Sequence, residues 1–244
     1  MSANTATHDA AASTPAKGSS SFWNARLGSL LAFFPLGVWT VNHLWDNLSA
    51  FRGAEAWQAS VTGYDSQVAM ALTQVFVFVP ILVHTVWGVK RLFSFKPNLG
   101  SYGTFGNLKY ILQRLSAVGV LGFLAAHVGK AFLQPRLQHG RPETFNDIAA
   151  YMHHHPITLV VYLLGTLGVA YHLANGIWSF AFGWGLVASR PALKRFDVVT
   201  VALFVLFLGM SWAAIFALYQ AGATATLPPE LAAELGKGPA AVGR

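Results

Sequence analysis

Residues 157–182 read ITLVVYLLGTLGVAYHLANGIWSFAF, twenty-six residues without one Asp, Glu, Lys or Arg and with a single histidine, His172. At ~1.5 Å rise per residue such a run outspans a hydrocarbon core of ~30 Å. Backbone groups in that layer must bond within their own segment, so the run reads as a helix, whereas barrel strands would be ~10 residues long and alternate. Working outward, four further apolar runs have the same character: Leu27 to Leu48, Val68 to Phe93, Tyr110 to Leu133 and Val198 to Tyr219. The expected fold class is therefore an all-α membrane protein, a bundle of five transmembrane helices. Composition agrees: of 244 residues 54% are hydrophobic and 10% charged, with mean hydropathy +0.47, where soluble domains carry roughly a quarter charged residues.

The flanks divide the chain. Residues 1–21 are rich in Ala, Ser and Thr and read as a disordered tail, residues 22–220 form the transmembrane domain, and the Ala/Gly/Pro-rich residues 221–244 read as a flexible tail. The net charge of +7 does not mark a nucleic-acid surface, because the basic residues sit at the ends of apolar runs. Ten of the 16 Lys and Arg, among them Arg26, Lys90, Arg91, Lys109, Arg114 and Arg190, fall on the side of the N-terminus. By the positive-inside rule the N-terminus is expected inside and the C-terminus outside. The first run is longer than a signal-peptide core and no small-x-small site ends it, so it is read as a retained span.

With no cysteine, the chain itself cannot hold a thiolate-ligated iron–sulfur cluster, a c-type haem, a Cys-based zinc site or a disulfide. Metal chemistry falls to histidine. Of nine histidines, four stand one per run in the first four segments: His43, His84, His127 and His172. A lone intramembrane His is as readily a residue hydrogen-bonded to a neighbouring helix as a ligand, but four call for a common explanation. Counted from the expected inner boundary, His43 and His127 belong to the outer half at ~20–25 Å, and His84 and His172 to the inner half at ~9–15 Å. Two His at one depth on two helices can clamp a haem iron, which predicts two stacked b-type haems enclosed by the bundle. Gly88 and Gly176 each follow a His by four residues and so share its helix face, where a porphyrin can approach, although small residues also serve helix packing. The run His153, His154, His155 sits at the outer boundary, and three adjacent residues cannot all point at one ion. Boundary aromatics, Trp57 and Trp178 among them, read as an interfacial belt.

Three stretches carry a resemblance: Arg26-Leu-Gly-Ser29 with His43 in the first run, Gln113-Arg114 through Gly119 to His127 in the third, and Tyr171-His172-Leu-Ala-Asn-Gly176 in the fourth. Over about Phe22 to Gln220 the chain resembles the single-chain, five-helix, di-haem cytochrome b subunit of succinate dehydrogenase and fumarate reductase. The resemblance implies a membrane anchor in the bacterial cytoplasmic membrane. Its partners are a flavoprotein subunit carrying FAD and an iron–sulfur subunit, and electrons pass through two haems b to or from menaquinone or another quinone. It also implies the same ligand pairing, His84 with His172 and His43 with His127. The glutamate that some members carry two residues before the ligating His of the fourth helix is Ala170 here, so that proton path is not implied.

Haem propionates at the inner boundary need donors, and Arg26, Ser29, Lys90, Arg91, Gln113 and Arg114 lie at suitable depth. By comparison with the family, Asp65 at the outer start of the second helix is the expected quinone-side acid. No catalytic residue for succinate is expected in this chain. Competing readings are a di-haem subunit of a hydrogenase or formate dehydrogenase, which would differ in helix number and ligand helices, a six-helix ascorbate-reducing cytochrome, and a haem-free transporter with a histidine proton relay.

Overall fold

A computed structural model describes residues 26–64, 66–93 and 105–236. Among them the regular elements are all helical. Five helices are long and apolar enough to cross a membrane: α1 (Arg26–Arg52), α2 (Gln67–Leu92), α3 (Gly106–His139), α5 (Pro156–Gly183) and α6 (Arg190–Gly222). Two short helices flank the last two, α4 (Phe145–His154) before α5 and α7 (Pro229–Glu234) after α6.

Local chemistry sets the ends. The Ser66 and Ser189 hydroxyls accept from the amides of Ala69 and Ala192 and start α2 and α6. Thr144 and Asp147 form a reciprocal capping box on α4, and the His155 ring accepts from the Thr158 amide at the start of α5, where Pro156 has no N–H to leave unpaired. α3 stops at Gly140, whose φ of 64° is the left-handed conformation glycine adopts at no steric cost. α3 and α6 extend beyond their apolar runs, since polar residues continue the backbone ladder into the boundary region until such a stop or cap.

Contacts between sequence-distant residues close both ends of the bundle. At the end carrying most of the basic residues, here the basic end, Arg26 Nη2 donates to the Gly183 carbonyl at 2.7 Å and Lys109 pairs with Asp197 at 2.6 Å. At the opposite, acidic end Gln58 bonds the Glu143 carbonyl and the Phe145 amide, and Asn146 exchanges two bonds with Thr226. α5 is central. Its Ala170 and Ala174 pack with Leu44 of α1 and Phe207 of α6, and towards the acidic end Trp57, Phe123, Met152, Tyr162 and Ile215 form the main buried cluster. α2 has a different surroundings: Val77 and Pro80 are buried, while Val75, Phe76, Val79, Leu82 and Val86 face outward as hydrocarbon-facing side chains do.

Two expectations change. The 221–244 segment is not loose as far as Gly236: α7 folds back and Leu231, fully buried, packs on Ala150 and Tyr151 of α4. Two apolar helix surfaces exclude water there, which a composition rich in Ala and Pro did not disclose. Trp57 is no belt residue, because it is 2% exposed and donates from Nε1 to Asn47 Oδ1 at 3.2 Å. The expected N-terminal tail 1–21, Asp65 and residues 237–244 lie outside the described residues.

Candidate functional site

A cavity of about 940 Å³ runs through the bundle from Arg26 and Lys109 at the basic end to Arg136 and Glu143 at the acidic end. It stands at the upper end of the ~300–1,000 Å³ usual for ligand sites. All four intramembrane histidines line it. The structure brings His43 and His127 together with ring centres 6.0 Å apart, and His84 and His172 with ring centres 6.2 Å apart. Tyr162, beside His127, and His172 are ten residues apart on α5, so the two pairs sit ~15 Å apart along the axis.

Each ring is held by neighbours. His127 stacks on Phe123, and its Nδ1 lies 3.0 Å from the Tyr162 hydroxyl, which leaves Nε2 outside that bond. His43 stacks on Trp39 at 4.7 Å. Asn47 Nδ2 donates to the His43 carbonyl at 2.8 Å and lies 3.3 Å from its Nε2, so the amide stays anchored if the ring nitrogen takes another partner. His172 Nδ1 lies 3.3 Å from Gln113 Nε2 and 3.4 Å from Ser116 Oγ, while Gln113 Nε2 also donates to the His172 carbonyl and Gln113 Oε1 accepts from Asn175. His84 Nδ1 is buried without a hydrogen-bond partner.

Three features suit a planar iron macrocycle between the rings. A metal–imidazole bond of ~2 Å and ~1.1 Å from nitrogen to ring centre, counted on both sides, separate two clamping rings by ~6 Å, the spacing of both pairs. Of the four buried polar side-chain atoms without a partner among the described residues, three belong to cavity-lining residues of the basic half, His84 Nδ1, Asn175 Oδ1 and Trp178 Nε1. Such atoms call for a polar or metal partner. A Cβ on Gly88 would meet nothing within 4 Å, and one on Gly176 only Gln113 Nε2 at 3.9 Å, so both faces are open to a flat ring.

The boundary residues sort unevenly. Arg26, Ser29, Arg91 and Arg114 line the basic end of the cavity. Ser29 Oγ accepts from Trp184 Nε1 at 3.1 Å, and the Arg91 and Arg114 guanidinium groups lie over Trp87 and Tyr110. Lys90 is exposed and does not line the cavity, since it falls on the outward face of α2. The Gln113 amide, expected near a propionate, is engaged by His172 and Asn175 instead. The histidine run disperses: His153 Nδ1 bonds the Tyr219 carbonyl, whereas His155 bonds Thr158 and Glu234.

The sequence reading gave no site role to Tyr162, Ser116, Asn175, Lys109, Trp178 and Glu143. Only Ser116 left a usable signal, standing three residues after Gln113 and hence on its helix face.

A family model described as the succinate dehydrogenase/fumarate reductase transmembrane subunit matches residues 94–210. The succinate dehydrogenase cytochrome b558 subunit of Bacillus subtilis (strain 168) is 33% identical over 201 residues, which cover 82% of this chain and 98% of the relative. With five apolar helices around one continuous cavity, the chain is a multi-pass membrane protein that belongs to the succinate dehydrogenase/fumarate reductase transmembrane subunit family.

Proposed function

We propose that this chain is the membrane anchor and electron-carrying subunit of a succinate:quinone oxidoreductase, with one haem b held by His84 and His172 near the basic end and a second held by His43 and His127 near the acidic end. The observation that carries this reading is the pair of facing imidazoles at 6.0 and 6.2 Å within one cavity. Bound between such imidazoles, a haem supplies a one-electron carrier. The chain's own residues orient and shield it. The Tyr162 hydroxyl sits where its oxygen accepts a hydrogen bond from Nδ1–H of His127, which would direct Nε2 of that ring to iron, and Ser116 and Gln113 hold the His172 ring. Arg26, Ser29, Arg91 and Arg114 are the candidates for propionates at the basic end.

A flavoprotein subunit with FAD and an iron–sulfur subunit dock at the basic end, which faces the cytoplasm of a bacterium, with the N-terminus inside and the C-terminus outside. The charge bias supports this orientation, and the cysteine-free composition fits a chain whose partner holds the clusters. Electrons then run from succinate to a quinone of the menaquinone type at the acidic end, with Asp65 the expected acid there. No residue for succinate chemistry is assigned to this chain.

The test is a reduced-minus-oxidised optical spectrum with haem quantitation on the purified protein and on His43→Ala and His84→Ala. Two b haems in the parent and one in each variant are expected. A colourless parent protein would overturn the electron-transfer reading in favour of a haem-free histidine relay.

A further inference from the structure

Glu143 occupies an unusual place in the bundle. It lies between α3 and α4, is 8% exposed, and lines the acidic end of the large cavity. It also lines a second pocket of about 30 Å³, enough for a water molecule, whose other polar walls include His139, Asp147, Tyr151 and Glu230. Three residues line both spaces, Glu143, Ile148 and Tyr162. Tyr162 is committed to His127 and Ile148 is apolar, so among the described residues Glu143 is the one carboxyl on the partition. The second pocket leads on to the outer surface of the acidic end, where His139 and Glu230 are about one-third exposed.

We infer that Glu143 is the proton-exchange group that connects the interior cavity, where a quinone is reduced or oxidised, with water at the acidic end through the pocket lined by Asp147, His139 and Glu230. The inference rests on the quinone-linked reading above. The balance is that of quinone reduction: one quinone takes two electrons, delivered singly through the His43/His127 site, and two protons on its oxygens to give the quinol. Glu143 gives up a proton to a quinone oxygen and is reprotonated from the second pocket, twice for each quinone reduced, and the reverse holds for quinol oxidation.

The electrostatics suit the task. Burial, aided by the Asp147 carboxylate, raises the Glu143 carboxyl to about 8, against the opposing pull of Arg136 and Lys130 from α3 and of Arg141. Tyr162 of α5 and Tyr151 of α4 also feel its charge, and Glu230 of α7 faces it across the pocket. Among the described residues no Lys or Arg nitrogen comes within 4.0 Å of its carboxylate oxygens, so it is not fixed in an ion pair. Such a carboxyl holds its proton below about pH 8 and can release it within reach of neutrality.

The experiment uses the assembled complex in membranes, with Glu143→Gln and Glu143→Asp. Haem content is measured alongside succinate-driven quinone reduction from pH 6 to 9 and the protonated-carboxyl band of the redox difference infrared spectrum. In the parent, turnover is expected to fall as pH rises through about 8, where the donor form is lost. In Glu143→Gln, with both haems retained, turnover drops at least ~10-fold, the pH step disappears and the carboxyl band is lost, while Glu143→Asp restores part of each. A Glu143→Gln complex with both haems, parent-like turnover and the same pH profile would overturn the inference alone. If Glu143→Gln fails to assemble, an absent carboxyl band in the parent and an unshifted pH step in Glu143→Asp overturn it. A parent without haem would overturn the functional reading beneath it.

Discussion

The Tyr162 hydroxyl lies 3.0 Å from His127 Nδ1, and Tyr162 is itself buried on α5, so the ring of His127 has one settled orientation before any iron arrives. Groups of this kind fix the tautomer and raise the basicity of a ligating imidazole, and their loss costs ~10–100-fold in metal affinity. Tyr162→Phe keeps the ring's volume and its edge contact with Phe123 and removes only the hydroxyl. It is expected to loosen haem at the His43/His127 site within that range, read by haem titration, and to leave the His84/His172 site at parent affinity. Equal weakening of both sites would mean that Tyr162 acts through general packing. The histidines were legible because an imidazole in an apolar run is conspicuous and helical rise converts its position to depth. Tyr162 and Asn175 were not, because a hydroxyl or amide in a membrane helix is ordinary until the neighbouring helix shows what it faces. Glu143 was hidden more fully: its burial goes with contacts far apart in sequence, the short helical segment at Gln58 donating to its carbonyl.

Between elements, the approach of α3 to α5 depends on Gly165. A Cβ there would collide with the Phe123 ring, whereas Gly119 of α3 has open space around the same position. Overpacking a close helix crossing costs ~1–3 kcal/mol, so Gly165→Leu is expected to lower the thermal midpoint of the detergent-solubilised protein while Gly119→Leu leaves it in place. α4 gives a second, pH-dependent case. Burial raises the Asp147 carboxyl, but the Arg141 guanidinium at 2.7 Å and the Thr144 hydroxyl and amide outweigh it, and the net shift is downward. A depressed folded value stabilises the helix above the ordinary carboxylate range and ceases to as pH falls through the lowered value. Thr144→Ala removes one half of the capping box, at ~0.5–2 kcal/mol. It should leave α4 less protected from hydrogen exchange near neutral pH, with the difference from the parent shrinking once acid protonates Asp147 in both. Ser189-Arg190-Pro191 was a readable start for α6, since Ser before a first-turn Pro is a helix signal; the apolar run alone placed that start eight residues too late.

Taken as one molecule, the protein closes its two ends by different means. The basic end is tied by charged and cation–π contacts around Lys109, which pairs with Asp197 at 2.6 Å and lies over the Trp178 ring at 3.7 Å. The acidic end is tied by a folded-back strap, in which Leu231 of α7 is fully buried against Ala150 and Tyr151 and two His–Glu contacts, His139–Glu230 at 3.2 Å and His155–Glu234 at 3.0 Å, flank it. Five helices were readable from apolar length alone, but the strap was not, because six residues containing one Leu carry no periodic signal and their stability comes from the surface they meet. Exposed His–Glu pairs contribute little each, about 0–1 kcal/mol, so the buried leucine holds the strap. Leu231→Ala is therefore expected to destabilise α7 by ~2–5 kcal/mol, whereas Glu234→Gln changes little. Hydrogen exchange separates the cases: in Leu231→Ala, amides of α7 and of the facing turn of α4 lose protection together while those of α5 and α6 keep it, because the strap covers the second pocket without supporting the membrane-crossing core. Loss of protection throughout the bundle would instead make α7 part of that core.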